Sequence, residues 1–444
     1  MKLPIAGVIP GMIVCGLLLL TGCRQSPGQA LIDDARRQQH VESFDKVWTT
    51  INEQHWDKNL NGADWPAARD ALRPKVAAAK TDAEARATMM ELIGRLKQSH
   101  FGIIPAESYA RLDGLPKRGE TESAAAGFSG MHMRVVDGDA LVTQVESGSA
   151  AESAGIRAGW IVRRADKFDV DDVLKRVRTA YGKSNLLPVY EHMTVQSLID
   201  GDLGQRVNLT LIDGSGKKTK KEIVLAAPQG KPAKFGNLPT FYIRTDVKEV
   251  SPNIGYIAFN AFFDPPTVST AFKQAVERFQ SADGFIIDLR GNPGGIGFMA
   301  NGMAGYLVDK PGLKLGTMTM RSGEIMFVVN PQPTVFNGPV AVLIDEVSMS
   351  TSEIMAGGLK DIGRARIFGT QTPGAALPSR IEKLPNGDGF QYAFANYVSA
   401  KGDVLEGKGV TPDETIQPQR ATLLAGEDAV INAAVAWIHS QKQR

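Results

Sequence analysis

Two continuous apolar runs in the second half of the chain constrain its fold more than any other feature. GFIIDLR (284–290) and GPVAVLIDE (338–346) lack the alternation of a strand with one solvated face. Such runs are typical of strands buried on both faces of a parallel sheet. Helical patterns at 266–281 and 351–363 alternate with them. Residues 240–444 are therefore predicted to form an α/β fold, with chemistry expected beyond the carboxyl ends of these strands.

The rest of the chain divides by the period of its apolar residues. Residues 30–115 show helical spacing, as in VESFDKVWTTINEQHW (41–56). Residues 123–228 show short runs with turn signals, which indicate a β module, and VDDVLKRVRTAYG (170–182) predicts a helical insertion within it. The 444 residues are thus expected to form a multi-domain chain of a helical region, a β module and the α/β core.

The N-terminus carries a targeting pattern. Residues 1–22 have a basic residue, an apolar run and a small-residue end, which predict a secretory signal peptide. LLTGC resembles a bacterial lipobox, which implies lipidation of Cys23 on a tether (23–29) and a periplasm-facing location, with the outer membrane favoured. An ordinary signal peptide or membrane anchor is the alternative. The only other cysteine, Cys15, lies within the signal, so no disulfide is expected.

Charge and histidine spacing disfavour two classes of function. The chain has 50 Lys+Arg against 48 Asp+Glu, and this balance gives no electrostatic reason to expect nucleic acid. None of its six histidines has a metal-binding spacing. No metal or organic cofactor is implied.

Three serines follow the second apolar run. Ser348, Ser350 and Ser352 lie in DEVSMSTSEIMAG (345–357), between the predicted strand and the helix beginning near Thr351. A serine here would meet the free N–H groups of a helix N-terminus, which favour negative charge. The residues alone leave two interpretations open, helix capping and nucleophilic catalysis.

Two further segments carry possible chemistry. DLRGNPGG (288–295) places glycines after a strand, where backbone can approach a reacting group closely. A G-x-G-x-x-A match at 295–300 is a weak nucleotide-binding signal, because no acidic residue follows at the required distance. His100, in QSHF (98–101), is either a catalytic base or, as lone histidines more often are, a surface or core residue.

Four motifs together carry a family resemblance. GFIIDLRGNPGG, SMSTSEIMAGGLKD, GTQTPGA and LEGKGVTPD resemble, in this order, the core motifs of the C-terminal processing (tail-specific) serine peptidases. Residues 127–162 resemble a PDZ domain, which those peptidases carry. The resemblance implies a ClpP/crotonase-like α/β core and an endopeptidase that acts on peptides or proteins.

One departure from the family pattern bears on the mechanism. In the Ser–Lys branch of the family, a lysine twenty-five positions after the nucleophile acts as the base. Here that position is Ala375, and the offset selects Ser350 as the nucleophile. Ser348 and Ser352 then become supporting residues.

A second branch, tricorn-like and retinoid-binding-protein-like, takes its base from a Ser–His pair in the N-terminal part. The resemblance implies Ser350 as nucleophile, His100 as general base, Ser99 orienting the imidazole, and Glu406 behind Ser99. Oxyanion donors would be the N–H groups of Gly294 or Gly295 and of Thr351. The alternative is a catalytically inactive pseudopeptidase that binds peptides or ligands at the cell envelope.

The PDZ resemblance implies a peptide site of its own. Backbone N–H groups of the loop 126–130, with Phe128, Ser129 and Gly130, would receive a carboxylate, and the strand beginning at Met131 would pair with the peptide. A PDZ fold that only packs or regulates is the alternative.

Overall fold

The computed structural model describes residues 31–113 and 126–442. Its N-terminal part is helical: Asp33 caps the first helix, and Thr81 caps the third by accepting from the Glu84 N–H at 3.2 Å. No helix in the described ranges is long and apolar enough to span a membrane. The elements here are α1 Asp34–Gln54, a 3₁₀ turn Leu60–Gly62, α2 Trp65–Ala77, α3 Asp82–Gly94, β1 Gly102–Ile104 and α4 Ala106–Asp113.

The middle part is an antiparallel sheet ordered β3–β4–β5–β8–β9, in which β6 pairs with β5, and two helices pack against it. The second of these helices, α7, is absent from the sequence expectation, in which α6 was the only helical insertion. The elements are β2 Ala126–Gly127, β3 Met131–Val136, β4 Asp139–Val145, α5 Ala150–Ser153, β5 Ile161–Ala165, β6 Phe168–Asp169, α6 Val170–Tyr181, α7 Leu187–Ile199, β7 Gly201–Asp202, β8 Arg206–Ile212 and β9 Lys218–Val224.

The C-terminal part contains both predicted buried strands, β14 and β17, each with every residue buried. Its elements are β10 Lys231–Ala233, β11 Phe241–Ile243, β12 Thr245–Ser251, β13 Ile254–Phe259, α8 Pro265–Arg278, β14 Gly284–Asp288, α9 Gly297–Ala304, β15 Leu313–Met320, β16 Gly323–Val329, β17 Val340–Ile344, α10 Thr351–Asp361, β18 Arg366–Gly369, β19 Ser379–Lys383, β20 Gly389–Ala393, β21 Ala395–Ser399, β22 Glu414–Thr415, α11 Arg420–Leu424 and α12 Ala429–Lys442.

The C-terminal sheet confirms the α/β class. Six strands run in the order β12–β13–β14–β17–β18–β22, and all neighbours beyond β12–β13 are parallel. Because β14 and β17 are adjacent and parallel, the turns that follow them leave the sheet at the same edge. The structure thereby brings the glycine-rich turn and the serine turn together.

The N-terminal helices share a core and a sheet with the C-terminal part. Strand β1 pairs antiparallel with β20, with Gly102 opposite Gln391. Side chains of α1–α3 pack in one apolar cluster with Phe390 and Tyr392. Buried Asp388 accepts from the Arg86 guanidinium at 2.7 and 2.8 Å. The chain just before β1 is therefore held against the α/β core.

The middle sheet is fixed to the α/β core at three places. Arg134 on β3 donates to the Asp345 carboxylate, the Asn185 amide donates to the Pro373 carbonyl, and Arg420 donates to the carbonyls of Gly159 and Asp213. A set of apolar side chains from α6 and α7 also packs against the turns of the α/β core: Val177, Leu186, Val189, Tyr190 and Met193 meet Val347, Met349 and Ala375.

Candidate active site

The three serines of the β17–α10 turn have different environments. Ser348 and Ser352 are fully buried, and their hydroxyls donate to the carbonyls of Leu289 and Asn292, each at 2.8 Å. These two serines tie the serine turn to the glycine-rich turn. Ser350 is partly exposed and precedes the first residue of α10, Thr351. Of the three, Ser350 is the one whose position suits attack on a ligand.

Ser350 has a strained backbone. Its φ of 55° and ψ of −115° lie where a side chain is disfavoured, at a cost of about 1–3 kcal/mol. Its hydroxyl faces the Glu353 N–H without reaching hydrogen-bond geometry, while its own N–H donates to Glu353 Oε2 at 3.1 Å. Strain of this kind clusters at active sites. Ser350 therefore lies at the N-cap of α10 with backbone angles that differ from the extended ones of an ordinary N-cap residue.

Two backbone N–H groups beside Ser350 are available as oxyanion donors. Within residues 31–113 and 126–442, the N–H groups of Gly295 and Thr351 have no protein acceptor. The Gly294 N–H differs, because it donates to the Asn292 side chain at 2.9 Å. Of the two predicted glycine donors, Gly295 therefore has the free group.

Gly294 instead allows close contact between the two turns. A Cβ at this position, where φ is +95°, would lie 2.7 Å from the Ser350 Cβ and the Thr351 nitrogen. Only glycine accommodates that approach without displacing the serine turn.

The predicted base and its orienting residues form one hydrogen-bonded group. Ser99 Oγ lies 2.7 Å from His100 Nδ1 and 2.8 Å from Glu406 Oε2, and the Ser99 N–H donates to Glu406 Oε1 at 2.7 Å. An ionised carboxylate only accepts, so the Ser99 hydroxyl donates to Glu406 and accepts from His100 Nδ1–H. His100 Nε2 is then left unprotonated, as a general base requires.

Burial sets the protonation of this group. Burial lowers the pKa of His100 to about 4, so the imidazole is neutral at pH 7. Burial also raises the pKa of Glu406, while hydrogen bonds from Ser99 and Ala376 oppose the shift. Like Ser350, His100 has a positive φ, at 60°. A neutral imidazole at pH 7 can accept a proton without first losing one.

A single loop joins the histidine group to the serine turn. The Ala376 N–H donates to Glu406 Oε2 at 3.2 Å, and the carbonyl of its neighbour Ala375 accepts from the Ser350 N–H at 2.8 Å. Ser99, Glu406, the loop and Ser350 thus form a continuous chain of contacts. The side chain of Ala375, at the position of the family's lysine, is fully buried in the apolar cluster with α7.

Glu353 is a residue of this site that the sequence reasoning missed. Its fully buried carboxylate accepts from Thr372 Oγ1 at 2.6 Å and from the N–H groups of Gly374, Ala375 and Ser350 at 2.8–3.1 Å. Burial raises its pKa to about 7, and the charge of Glu406 adds to this shift. The available signal was a glutamate three residues after a helix-capping serine, the capping-box spacing.

The predicted peptide site on the middle sheet is already engaged. The Ser129 N–H and hydroxyl donate to the Asp200 carboxylate at 2.8 and 2.9 Å. The Met131 N–H donates to Ser129 Oγ, the Gly130 carbonyl accepts from Glu146, and Phe128 pairs with Ala226. The N–H groups of Phe128, Ser129 and Met131, which a bound carboxylate or peptide would use, are therefore already bonded within the chain. Cys23, the predicted lipidation site, lies outside the described residues.

Two protein-family models match the chain. Residues 253–416 match the model of peptidase family S41, which covers the glycine-rich turn, the serine turn and Glu406. Residues 36–94 match the model of the tricorn protease C1 domain, which covers α1–α3 and ends just before Ser99.

Curated relatives align over most of the chain. The carboxyl-terminal-processing protease of Picosynechococcus sp. is 24% identical over 84% of this chain and 82% of its own length. The chloroplastic carboxyl-terminal-processing peptidase 2 of Arabidopsis thaliana is 25% identical over 84% of this chain and 68% of its own length.

Solved structures share the fold. The photosystem II D1 C-terminal processing protease gives a TM-score of 0.55 at 21% identity, over 88% of this chain and 98% of that chain. Mature CPAF in complex with lactacystin gives 0.59 at 15% identity, over 92% and 98%. The family models therefore identify a peptidase family S41 core at 253–416 and a tricorn C1 region at 36–94, and together with the curated relatives they support a serine peptidase.

Proposed function

We propose that the protein is an endopeptidase that cleaves peptide bonds through an acyl-enzyme on Ser350, with His100 as the general base. One observation carries the proposal: the hydrogen-bonded group of Ser99, His100 and Glu406 reaches, through Ala376, the loop that binds the Ser350 N–H. A serine hydroxyl is a weak nucleophile until a neighbour accepts its proton, and we assign that role to His100 Nε2.

The first half-reaction follows from these roles. Ser350 Oγ attacks the scissile carbonyl carbon while His100 Nε2 takes the hydroxyl proton. The carbonyl oxygen becomes an oxyanion and accepts from the N–H groups of Gly295 and Thr351. His100 then gives the proton to the leaving amine, and the bond to that amine breaks. Ser350 is left as an ester of the substrate's acyl group.

The second half-reaction repeats the proton path with water. His100 takes a proton from a water molecule, the resulting hydroxide attacks the ester carbonyl, and the proton returns to Ser350 Oγ as the ester bond breaks. Through Ser99, Glu406 stabilises the imidazolium in both halves, because a carboxylate at the end of the hydrogen-bonded group favours positive charge on the ring.

The substrate is proposed from the relatives. Both curated relatives described above are named for carboxyl-terminal processing, and we extend that activity to this chain, with a peptide or protein as substrate. The proposed location, lipid-anchored at Cys23 and facing the periplasm, rests on the sequence pattern of residues 1–23.

Labelling with a fluorophosphonate probe tests the nucleophile and the base. We expect the wild-type chain to be labelled, Ser350→Ala to be unlabelled and His100→Ala to be labelled far more slowly. Ser281→Ala and His439→Ala, both exposed, serve as matched controls and should label normally. Normal labelling of Ser350→Ala would refute the nucleophile. A folded wild-type chain that neither labels nor hydrolyses peptides would favour the inactive alternative.

A further inference from the structure

The outer edge of strand β3 is occupied by side chains of the same chain. In an antiparallel sheet the outward-facing groups of an edge strand belong to alternate residues, here Met131 and Met133. The Met131 carbonyl accepts from Gln196 Nε2 at 2.9 Å, and the Met133 N–H donates to Gln196 Oε1 at 3.3 Å. The Gln196 side-chain amide thus bonds to the strand as the N–H and C=O of one residue of an added strand would.

The neighbouring groups continue the same pattern. Asp200 places a buried carboxylate on the Ser129 N–H and hydroxyl, where the carboxyl end of an added peptide would lie. At the other end, the Met133 carbonyl faces His192 Nδ1 at 2.9 Å. Gln196 Nε2 also donates to Asp200 Oδ2 at 2.8 Å, so the two side chains that occupy the place of a peptide are bonded to each other.

These three residues are spaced for a single helix face. His192, Gln196 and Asp200 recur every four positions, and α7 ends at Ile199, directly before Asp200. Another set of α7 side chains, Tyr190 and Met193 among them, packs with Met349 and Ala375 beside Ser350. Helix α7 therefore contacts the peptide-receiving edge with one set of side chains and the serine turn with another.

We propose that α7 is an internal ligand of the β module, and that the module holds the serine turn in place instead of capturing substrate tails at β3. The inference rests on the PDZ resemblance and on Ser350 as the nucleophile. Gln196 and Asp200 are positioning residues, because they act on the serine turn only through α7. The side chains that close the edge also immobilise the helix that packs on Met349.

Hydrogen exchange of the full-length Ser350→Ala chain tests the closed edge without requiring catalysis. A ten-residue peptide with a free, apolar carboxyl end is the probe. We expect the backbone amides of residues 128–135 to exchange slowly in the free protein. Their exchange rates should stay the same when the peptide is added in large excess. Slower exchange of this segment on adding peptide would show that the edge takes substrate, and would overturn the proposal.

Variants that remove the covering side chains from the edge of β3 give the complementary test. Gln196→Ala should raise amide hydrogen exchange in segment 128–135 roughly tenfold, because both hydrogen bonds from this side chain to the strand edge and its bond to Asp200 are lost. Asp200→Asn, which preserves the shape and removes the charge, should raise it less, and exposed Gln274→Ala is the matched control. Unchanged exchange in both edge variants would overturn the proposal.

Kinetics of the chain with Ser350 intact test the link to the serine turn. Gln196→Ala should lower kcat roughly tenfold while KM for a short peptide stays within about twofold, because the change loosens α7 against Met349 without touching substrate. A raised KM with unchanged kcat would show that the edge binds substrate instead. If Ser350→Ala still hydrolyses peptides while the exchange results hold, the proposed nucleophile fails and the closed edge stands.

Discussion

Two glutamates, Glu353 fully buried and Glu406 partly exposed, bind consecutive residues of one loop and contact different parts of the site. Glu353 accepts from the Ala375 N–H and from the Ser350 N–H, and it lies in the first turn of the same helix that Ser350 precedes. Glu406 accepts from the Ala376 N–H and from Ser99, which lies far away in sequence. The local carboxylate holds Ser350, the proposed nucleophile, whereas the distant one holds Ser99 beside His100, the proposed base.

This difference shows how the site is assembled without a lysine at position 375. In the described part of the chain, neither glutamate has a lysine or arginine within ion-pair distance, so backbone N–H groups and hydroxyls balance both carboxylates. The loop between them becomes the element that sets the position of one catalytic group against the other. Substitutions of each glutamate and of the groups that it binds should separate the roles of the two carboxylates.

The largest expected effect is that of His100→Ala. Removing the base should lower kcat/KM for peptide hydrolysis by about 10²–10⁴-fold, the range that a positioned general base contributes. Steady-state kinetics with a quenched fluorescent peptide measure it, and exposed His439→Ala is the control. A folded His100→Ala chain with normal kinetics would exclude this histidine as the base.

Glu406→Gln should reduce kcat by about 10- to 100-fold, because hydrogen bonds to a charged group contribute about 1.5–3 kcal/mol. The amide keeps the shape but no longer favours the imidazolium through Ser99. Peptide hydrolysis measures the change, with exposed Glu53→Gln as the matched control. If Glu406→Gln lowers kcat and the melting temperature together, and a stabilising osmolyte restores both, Glu406 only supports the fold.

Ala375→Lys tests whether a lysine can return to this loop. The Ala375 methyl packs against α7 in a fully buried cluster, so the longer side chain should lower the free energy of unfolding by about 1–3 kcal/mol. Denaturant unfolding measures this, with exposed Ala180→Lys on α6 as the control. If a chain with both Ala375→Lys and His100→Ala is stable and more active than His100→Ala alone, the loop still accepts a Ser–Lys arrangement.

The smallest effect is a pH dependence that separates Glu353 from His100. With its pKa raised to about 7, Glu353 gains its charge between pH 6 and 8, and only the charged form accepts from all four donors. Activity should therefore rise about tenfold over this range. His100, whose pKa is lowered to about 4, should affect activity only near pH 4.

The variant Glu353→Gln should flatten the rise in kcat/KM between pH 6 and 8, at a lower overall rate. Stability should change in the opposite sense: a raised carboxyl pKa stabilises the fold at low pH, and that contribution is lost as pH rises through about 7. If the rise in kcat/KM near pH 7 persists in Glu353→Gln, a group other than Glu353 causes it.

Local patterns made parts of this site predictable. Buried strands, glycines and serines lie within short segments, so the glycine-rich turn and the serine turn could be located from the residues. The choice of Ser350, and of Gly294 or Gly295 with Thr351 as oxyanion donors, depended on the family resemblance. The Ser99–His100–Glu406 assignment came from the family resemblance, and the geometry brings these three together. Glu353 was also local, but its capping-box spacing was not used.

Other features depend on contacts between distant segments. The β1–β20 pairing, which brings His100 to the core, joins residues nearly three hundred positions apart and leaves no local signal. Helix α7 has buried residues around most of its circumference, so the one-sided apolar pattern that reveals surface helices is weak there. Its contacts with β3 and with the serine turn were missed for this reason.

The positive φ angles of His100 and Ser350 have a consequence for engineering. Glycine adopts such backbone angles without the cost that a side chain incurs, so Ser350→Gly should melt at a higher temperature than Ser350→Ala, and we expect both to be inactive. A selection for thermostability alone would therefore favour loss of the proposed nucleophile. The glycine variant would in turn be the more robust form for trapping uncleaved substrates.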